Sequence, residues 1–146
     1  MSGVVRSEMP DWECQHLLAE ASVGRLCVID NGYPLAFPVN FQQVATGGRH
    51  LLVVRVSPGA ALARCEGLAS LEADHIDESS RVAWSVIARG TWHRVTGLHE
   101  LPDPGPWIED DRSQWMVLEV SAISGRRFRG ETTPGGFEVD WVPTYG

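Results

Sequence analysis

The 146-residue chain contains no lysine; its twelve basic residues are all arginine, set against nineteen Asp and Glu for a net charge of −7. With no basic stripe, this balance argues against nucleic acid as a partner, because that affinity comes from clustered cations releasing counterions. An anionic membrane surface is disfavoured for the same reason. A small anionic ligand is still allowed, since one local Arg with backbone donors outweighs a distant net charge. The three cysteines, Cys14, Cys27 and Cys65, are odd in number and far apart, with no CxxC pair. They fit reduced thiols better than a disulfide frame or a zinc site. No apolar run reaches the roughly 20 residues of a membrane-spanning helix. The opening MSGVVRSEMPDWE has no apolar signal core, so a cytoplasmic location is expected. Repeats and low-complexity stretches are also lacking. What remains, 43% hydrophobic and 21% charged residues, is the mix of one ordinary globular domain.

Turn signals divide the chain. Residues 1–10 read as a loose arm. Asp11 to Ala21 reads as a short helix with Asp11 as its cap and Leu17 and Leu18 turned inward. A strand over Val23–Asp30 meets Asn31-Gly32, a strong hairpin signal. Tyr33 to Gln43 alternates, with Tyr33, Leu35, Phe37, Val39 and Phe41 on one face, and its prolines mark an edge or a bend. After Thr46-Gly47-Gly48, His50 to Val56 is almost wholly apolar, as expected of a strand buried on both faces. Ser57-Pro58-Gly59 is expected to open a short helix reaching Glu66, with Ser57 capping and Pro58 in the first turn. Further strands are expected over Leu68–Ile76, Arg81–Val95 with a bulge at Gly90, and Gln114–Ile123. Residues 97–113 form a Pro- and Asp-rich connection, and the tail from Gly125 is irregular. Six strands, two short helices and no βαβ units predict a mainly β protein built as a small antiparallel barrel.

One local feature carries chemistry. Arg55 ends a buried strand two residues before Ser57-Pro58-Gly59. Free N–H groups at the start of a helix, the Ser57 hydroxyl and the Arg55 guanidinium would together form an anion pocket suited to phosphate. The plainer reading is a capped helix with Arg55 in a surface salt bridge.

The sequence resembles the pyridoxamine-5′-phosphate-oxidase-like FMN-binding split barrels, in the small form common in actinobacteria. The matching stretches, in that family's order, are Val23-Gly24-Arg25-Leu26, Gly32-Tyr33-Pro34 with Pro38-Val39-Asn40, and Arg55-Val56-Ser57-Pro58-Gly59. They continue with Glu72 to Asp77, Ala83-Trp84-Ser85-Val86 with Arg89-Gly90, and Ile123 to Arg127. The resemblance implies a six-stranded split β-barrel over residues 11–128, paired as a homodimer with FMN in the cleft between subunits. The irregular tail, 129–146, would pack on the barrel or the dimer. Cofactor-binding residues implied in this way are Pro38, Val39 and Asn40 beside the flavin ring, and Arg55, Val56, Ser57, Ala61 and Leu62 around the phosphate. Trp84, Ser85 and Val86 would line the same cleft. The family pattern reads Arg-Thr-Ser-Pro-Gly-Ser-Lys, whereas this chain has Val56 and Ala61 at the Thr and Lys positions. Two donors lost at about 1.5–3 kcal/mol each would weaken phosphate binding by two to four orders of magnitude, partly offset by Arg64.

Other residues carry plainer readings. Alternation puts Glu72, Asp74 and Ile76 on one face and His75 and Asp77 on the other, a poor arrangement for metal coordination, so a solvated or structural role is expected. Trp84 and Trp92, eight apart on one strand, share a face and should pack in a core or interface, with a ring stacked on flavin as the sharper alternative for Trp84. Arg126 and Arg127 end the last strand, either in salt bridges or facing a ligand. His16, His50, His93 and His99 lack a nucleophile at motif spacing, so no hydrolase triad is expected. The function implied is an FMN-dependent oxidoreductase acting on a small organic substrate, with the flavin supplying the redox chemistry. The alternatives are a split-barrel module that binds flavin, haem or another planar ligand without turnover, and a deazaflavin-dependent reductase.

Overall fold

The hairpin signal at Asn31-Gly32 is met by φ values of 50° and 81°, both in the left-handed region that a two-residue hairpin turn requires. It joins β2 (Val23–Asp30) to β3 (Tyr33–Asn40) in register from Asp30 opposite Tyr33 to Val23 opposite Asn40. The computed structural model describes residues 4–96, 101–105 and 111–130. Within them the remaining elements are β1 (Val4–Glu8), α1 (Asp11–Glu20), β4 (Gln42–Thr46), β5 (Arg49–Val56) and α2 (Ala61–Arg64). The chain continues through β6 (Gly67–Asp77), β7 (Val82–Arg94) and β8 (Gln114–Gly130). All strands pair antiparallel, in the order β3-β2-β6-β7-β8-β5-β4, with β1 also on β8. The two outermost strands of that path, β3 and β4, are consecutive in the chain. The sheet therefore curls back on itself and is closed covalently at Phe41: a split β-barrel.

The described residues hold eight strands where six were expected, and both extra ones have a physical cause. The single strand read over 33–43 breaks at Phe41, whose N–H turns to the Ser22 carbonyl at 3.2 Å. Beyond that point β4 leaves β2 and pairs with β5, Gln42 opposite Val53. The second addition lies in the arm, where residues 4–8 are a strand. One edge of β8 is paired by β5 only over Gln114–Glu119. Its far end is covered by β1, with Glu8 opposite Arg126 and Ser7 opposite Arg127, which satisfies an otherwise bare edge and sets opposite charges across the pair. Pairing with β7 through Arg129 and with β1 through Gly130 carries β8 past Ile123 and past Gly125, from which an irregular tail was expected. Residues 131–146, the rest of the tail, lie outside the described residues.

Three local expectations are corrected. Pro10, not Asp11, caps α1, and no side chain serves as a cap there; the Pro10 carbonyl receives the N–H groups of Glu13 and Cys14. Ser57-Pro58-Gly59 does not begin a helix. Gly59 has φ of 82° and the Ala60 N–H donates to the Ser57 carbonyl at 3.1 Å, so Pro58 and Gly59 occupy the centre of a type II turn. The single helical turn α2 follows it, capped at Ala60 without a side-chain bond. The bulge falls at Gly90, but its extra residue is Ser121 on β8: Arg89 faces Ala122, while Gly90 faces Val120. A Cβ on Gly90 would lie 1.8 Å from the Glu119 carbonyl oxygen, so this approach of β8 requires glycine.

The core lies inside the barrel under α1. Leu18, Leu26, Leu52, Leu71, Met116 and Leu118 are fully buried around Trp92. The indole N–H of Trp92 donates to the Leu62 carbonyl at 2.8 Å, tying α2 to β7 and satisfying a buried donor. Leu51 to Val54 are all buried, as expected of a strand covered on both faces.

Candidate functional site

The type II turn after β5 sets Arg55 at a corner. Its Nε donates to the Arg112 carbonyl at 3.0 Å, and its guanidinium lies 5.3 Å from the centre of the Trp115 ring. Its Nη1 donates to both carboxylate oxygens of Asp103, at 3.1 and 2.9 Å. The Gly105 N–H also donates to Asp103, and with the guanidinium it holds that carboxyl below its ordinary range. The plainer reading of Arg55, a salt bridge, is therefore realised, and the anion on the guanidinium is a side chain of the same molecule.

Around this corner the expected site residues divide by direction. Val56 is 2% exposed and Leu62 is buried, both within the core. A threonine at position 56 would point its hydroxyl into that core, so Val56 removes no donor from a phosphate at the corner. Of the two departures from the family pattern, only Ala61, which is half-buried, bears on such a ligand. Arg64, expected to compensate, is turned away: it donates to the Gly59 carbonyl at 3.1 Å and pairs with Asp30 at 3.3 Å.

The other expected residues lie across the sheet. Arg55 faces Trp115 near the start of β8, whereas Trp84 faces Arg127 near its end. Twelve residues of strand separate those positions, roughly 40 Å of extended chain before curvature. Val39 and Val86 point into the core, and Trp84 packs partly against it. The Asn40 amide donates to the Ser22 carbonyl at 3.3 Å. Trp92 is a core residue, and Arg127 pairs with Glu13. His99 lies outside the described residues.

Ser85 is buried and lies 3.5 Å from Glu72 on the outer sheet face. Glu72 and Asp74 share that face, as alternation predicted, and Arg25 reaches both, at 3.6 and 3.2 Å. Glu72 Oε1 is buried without a hydrogen-bond partner. Burial, then the neighbouring Asp74, push the Glu72 carboxyl up to about 7, against the pull of Arg25 and Ser85.

The same outer face carries an open trough of about 640 Å³ between β2, β6, β7 and β8, lined by Cys27, Ile29, Pro34, Leu68, Arg89 and Ala122 among others. None of the expected site residues lines it. Leu68 is 87% exposed and Ile29 60%; Ile76 and Ile87 add to the apolar surface on this face. Its apolar members, Ile29, Leu68, Ile76 and Ile87, are interspersed with polar outward residues such as Arg25, Ser70, Glu72 and Arg89, so no sequence pattern marked the trough. Arg64 spans from the Gly59 carbonyl in the turn to the Asp30 carboxylate at the end of β2.

A sequence model of the family described as pyridoxamine 5′-phosphate oxidase matches residues 10–127. The chain belongs to that family. Solved structures agree with the family fold. An FAD binding protein from Mycobacterium smegmatis is 26% identical, with 86% of this chain and 100% of that chain covered and a TM-score of 0.66. An FAD-binding protein from Mesorhizobium loti, 20% identical, covers 86% and 98% at a TM-score of 0.70 and shows the fold alone. So does an FAD and haem binding protein from Mycobacterium smegmatis, 19% identical, covering 90% and 76% at 0.59. No curated protein matches the chain. The corner and the trough each offer one part of what a flavin needs: a guanidinium already holding an anion and, roughly 20 Å away along β8, an apolar recess for a flat ring system.

Proposed function

We propose that this protein is a flavin-dependent oxidoreductase that binds FMN and acts on a small organic substrate. The observation that carries the reading is the Arg55 corner. Its guanidinium is fixed on one side by the Arg112 carbonyl and the Trp115 ring, while its outer edge grips a carboxylate. Such a group binds a phosphate without first having to be ordered. The FAD binding protein from Mycobacterium smegmatis, 26% identical, supports a flavin as the ligand class.

Bound flavin would supply electron transfer, so no catalytic triad is required of the chain. Arg55 anchors the phosphate, assisted by the Gly59 N–H, since Pro58 has none and the Ala60 N–H is held by the Ser57 carbonyl. The apolar side chains of the trough, roughly 20 Å along β8 from that corner, would meet the ring only across the contact between two copies, where they orient it and exclude water. Glu72 retains a proton on its carboxyl up to about pH 7 on that same face. A second copy of the chain, packed on the outer face, would cover the exposed Ile29, Leu68, Ile76 and Ile87. It would also bring the distant Trp84–Val86 segment of one subunit toward the Arg55 corner of the other. The protein acts as a cytoplasmic homodimer with no nucleic-acid or membrane partner in this reading. No described helix is long and apolar enough to cross a membrane.

The test is a visible absorption spectrum of the purified protein, before and after addition of FMN and of FAD, followed by NADPH-driven turnover. Protein that stays colourless and takes up neither flavin refutes the reading. A second reading, flavin binding without turnover, is favoured by Ala61 in place of a cation and by Arg64 being held on Asp30. Flavin uptake with no turnover by NADPH or any small acceptor selects it.

A further inference from the structure

We infer that Asp103 is an internal competitor for the flavin phosphate, so that cofactor binding exchanges one anion for another on Arg55 and Asp103 sets its affinity and phosphate selectivity. The inference rests on the flavin reading above and concerns how that site is regulated.

Three contacts define the guanidinium, and they differ in kind. The Nε–H bond to the Arg112 carbonyl and the stacking on Trp115 involve a main-chain oxygen and a ring, neither of which an incoming anion would displace. They leave the Nη edge as the face that takes an anion. Asp103 occupies that edge with both carboxylate oxygens on Nη1. This end-on geometry resembles the grip of one guanidinium nitrogen on two phosphate oxygens. Asp103 is anchored from behind by the Gly105 N–H at 3.0 Å, in a Pro102-Asp103-Pro104-Gly105 segment whose Gly105 has φ of 64°.

The exchange is physically accessible. The Asp103 side chain is 56% exposed, so releasing it to water leaves no buried charge unpaired, and an exposed ion pair of this type is weak. A phosphate that replaces it brings close to two negative charges to a guanidinium that has stayed in place. The competition also adds a selectivity that the apolar trough lacks. A flavin without phosphate has no reason to displace Asp103, whereas one with phosphate must do so.

The experiment compares FMN with riboflavin, which has the same ring and no phosphate, by fluorescence titration of the full chain. Asp103→Asn and Asp103→Ala should each tighten FMN about fivefold, the scale of one exposed ion pair, and leave riboflavin unchanged. In an Arg55→Ala background, Asp103→Asn should have no effect on FMN. The inference is overturned if FMN affinity does not change, if riboflavin tightens equally, or if the gain persists without Arg55; each of these leaves the flavin reading standing. Failure of both flavins to bind wild type and variants alike overturns both readings.

Discussion

Replacing Glu72 with glutamine should remove a loss of stability that the wild type suffers between pH 5 and 8. Glu72 sits on β6 between Arg25 of β2 and Ile87 of β7, with Asp74 next on its face and Ser85 of β7 diagonal to it. Its side chain is three-quarters buried, with one oxygen lacking a hydrogen-bond partner. Its carboxyl titrates at about 7 in the fold, against an ordinary value of 4.5. The folded state therefore holds this proton more tightly than the unfolded chain. Its contribution to stability is complete below pH 4.5 and is lost as pH rises through about 7. At 1.36 kcal/mol per pH unit that contribution is on the order of 3 kcal/mol, of which about 2 kcal/mol falls between pH 5 and 8. Glutamine keeps the shape and cannot ionise. Urea unfolding of both proteins at pH 5 and pH 8 measures the difference, with every other titrating group common to the two. The wild type should lose about 2 kcal/mol more than Glu72→Gln across that interval. Parallel losses would show that Arg25 fully compensates the charge, and would refute the argument that burial and Asp74 dominate.

Arg55→Ala should weaken FMN binding about tenfold to a hundredfold, leaving a measurable affinity, while Ala61→Lys should tighten it by a similar factor by restoring one charge-assisted bond, both read by fluorescence quenching. Gly90→Ala should cost roughly 3 kcal/mol or more in chemical denaturation, because its Cβ would meet the Glu119 carbonyl and neither strand can move without breaking the bulge. Leu68→Asp, which places a charge on the outward apolar face, should convert a dimer to a monomer in sedimentation velocity without lowering the unfolding midpoint of the isolated chain.

The strand framework was legible because its signals are local. Alternation, the Asn31-Gly32 turn and the apolar run of β5 each act over a few residues, and the structure places them where the pattern did. The type II turn was misread because Ser-Pro-Gly satisfies both a helix start and a Pro-Gly turn. Only the positive φ of Gly59 and the Ala60 N–H bond distinguish them. β1 was missed because its reason for pairing lies over a hundred residues away, in the open edge of β8. The Arg55 corner was legible in the strand-end arginine and not in its partner: Asp103 lies forty-eight residues on. The trough was missed because it consists of outward side chains from several strands that no motif joins.

By itself the sequence determined the strands and hairpin and the arginine suited to an anion. These depend on spacing along one chain, and short-range spacing is all that a sequence states directly. Only the tertiary structure decided that Val56 faces the core, that Arg64 serves Asp30, and that a carboxylate already sits on Arg55. Those outcomes depend on which distant residues the barrel's closure brings within a few ångströms, where burial and charge act.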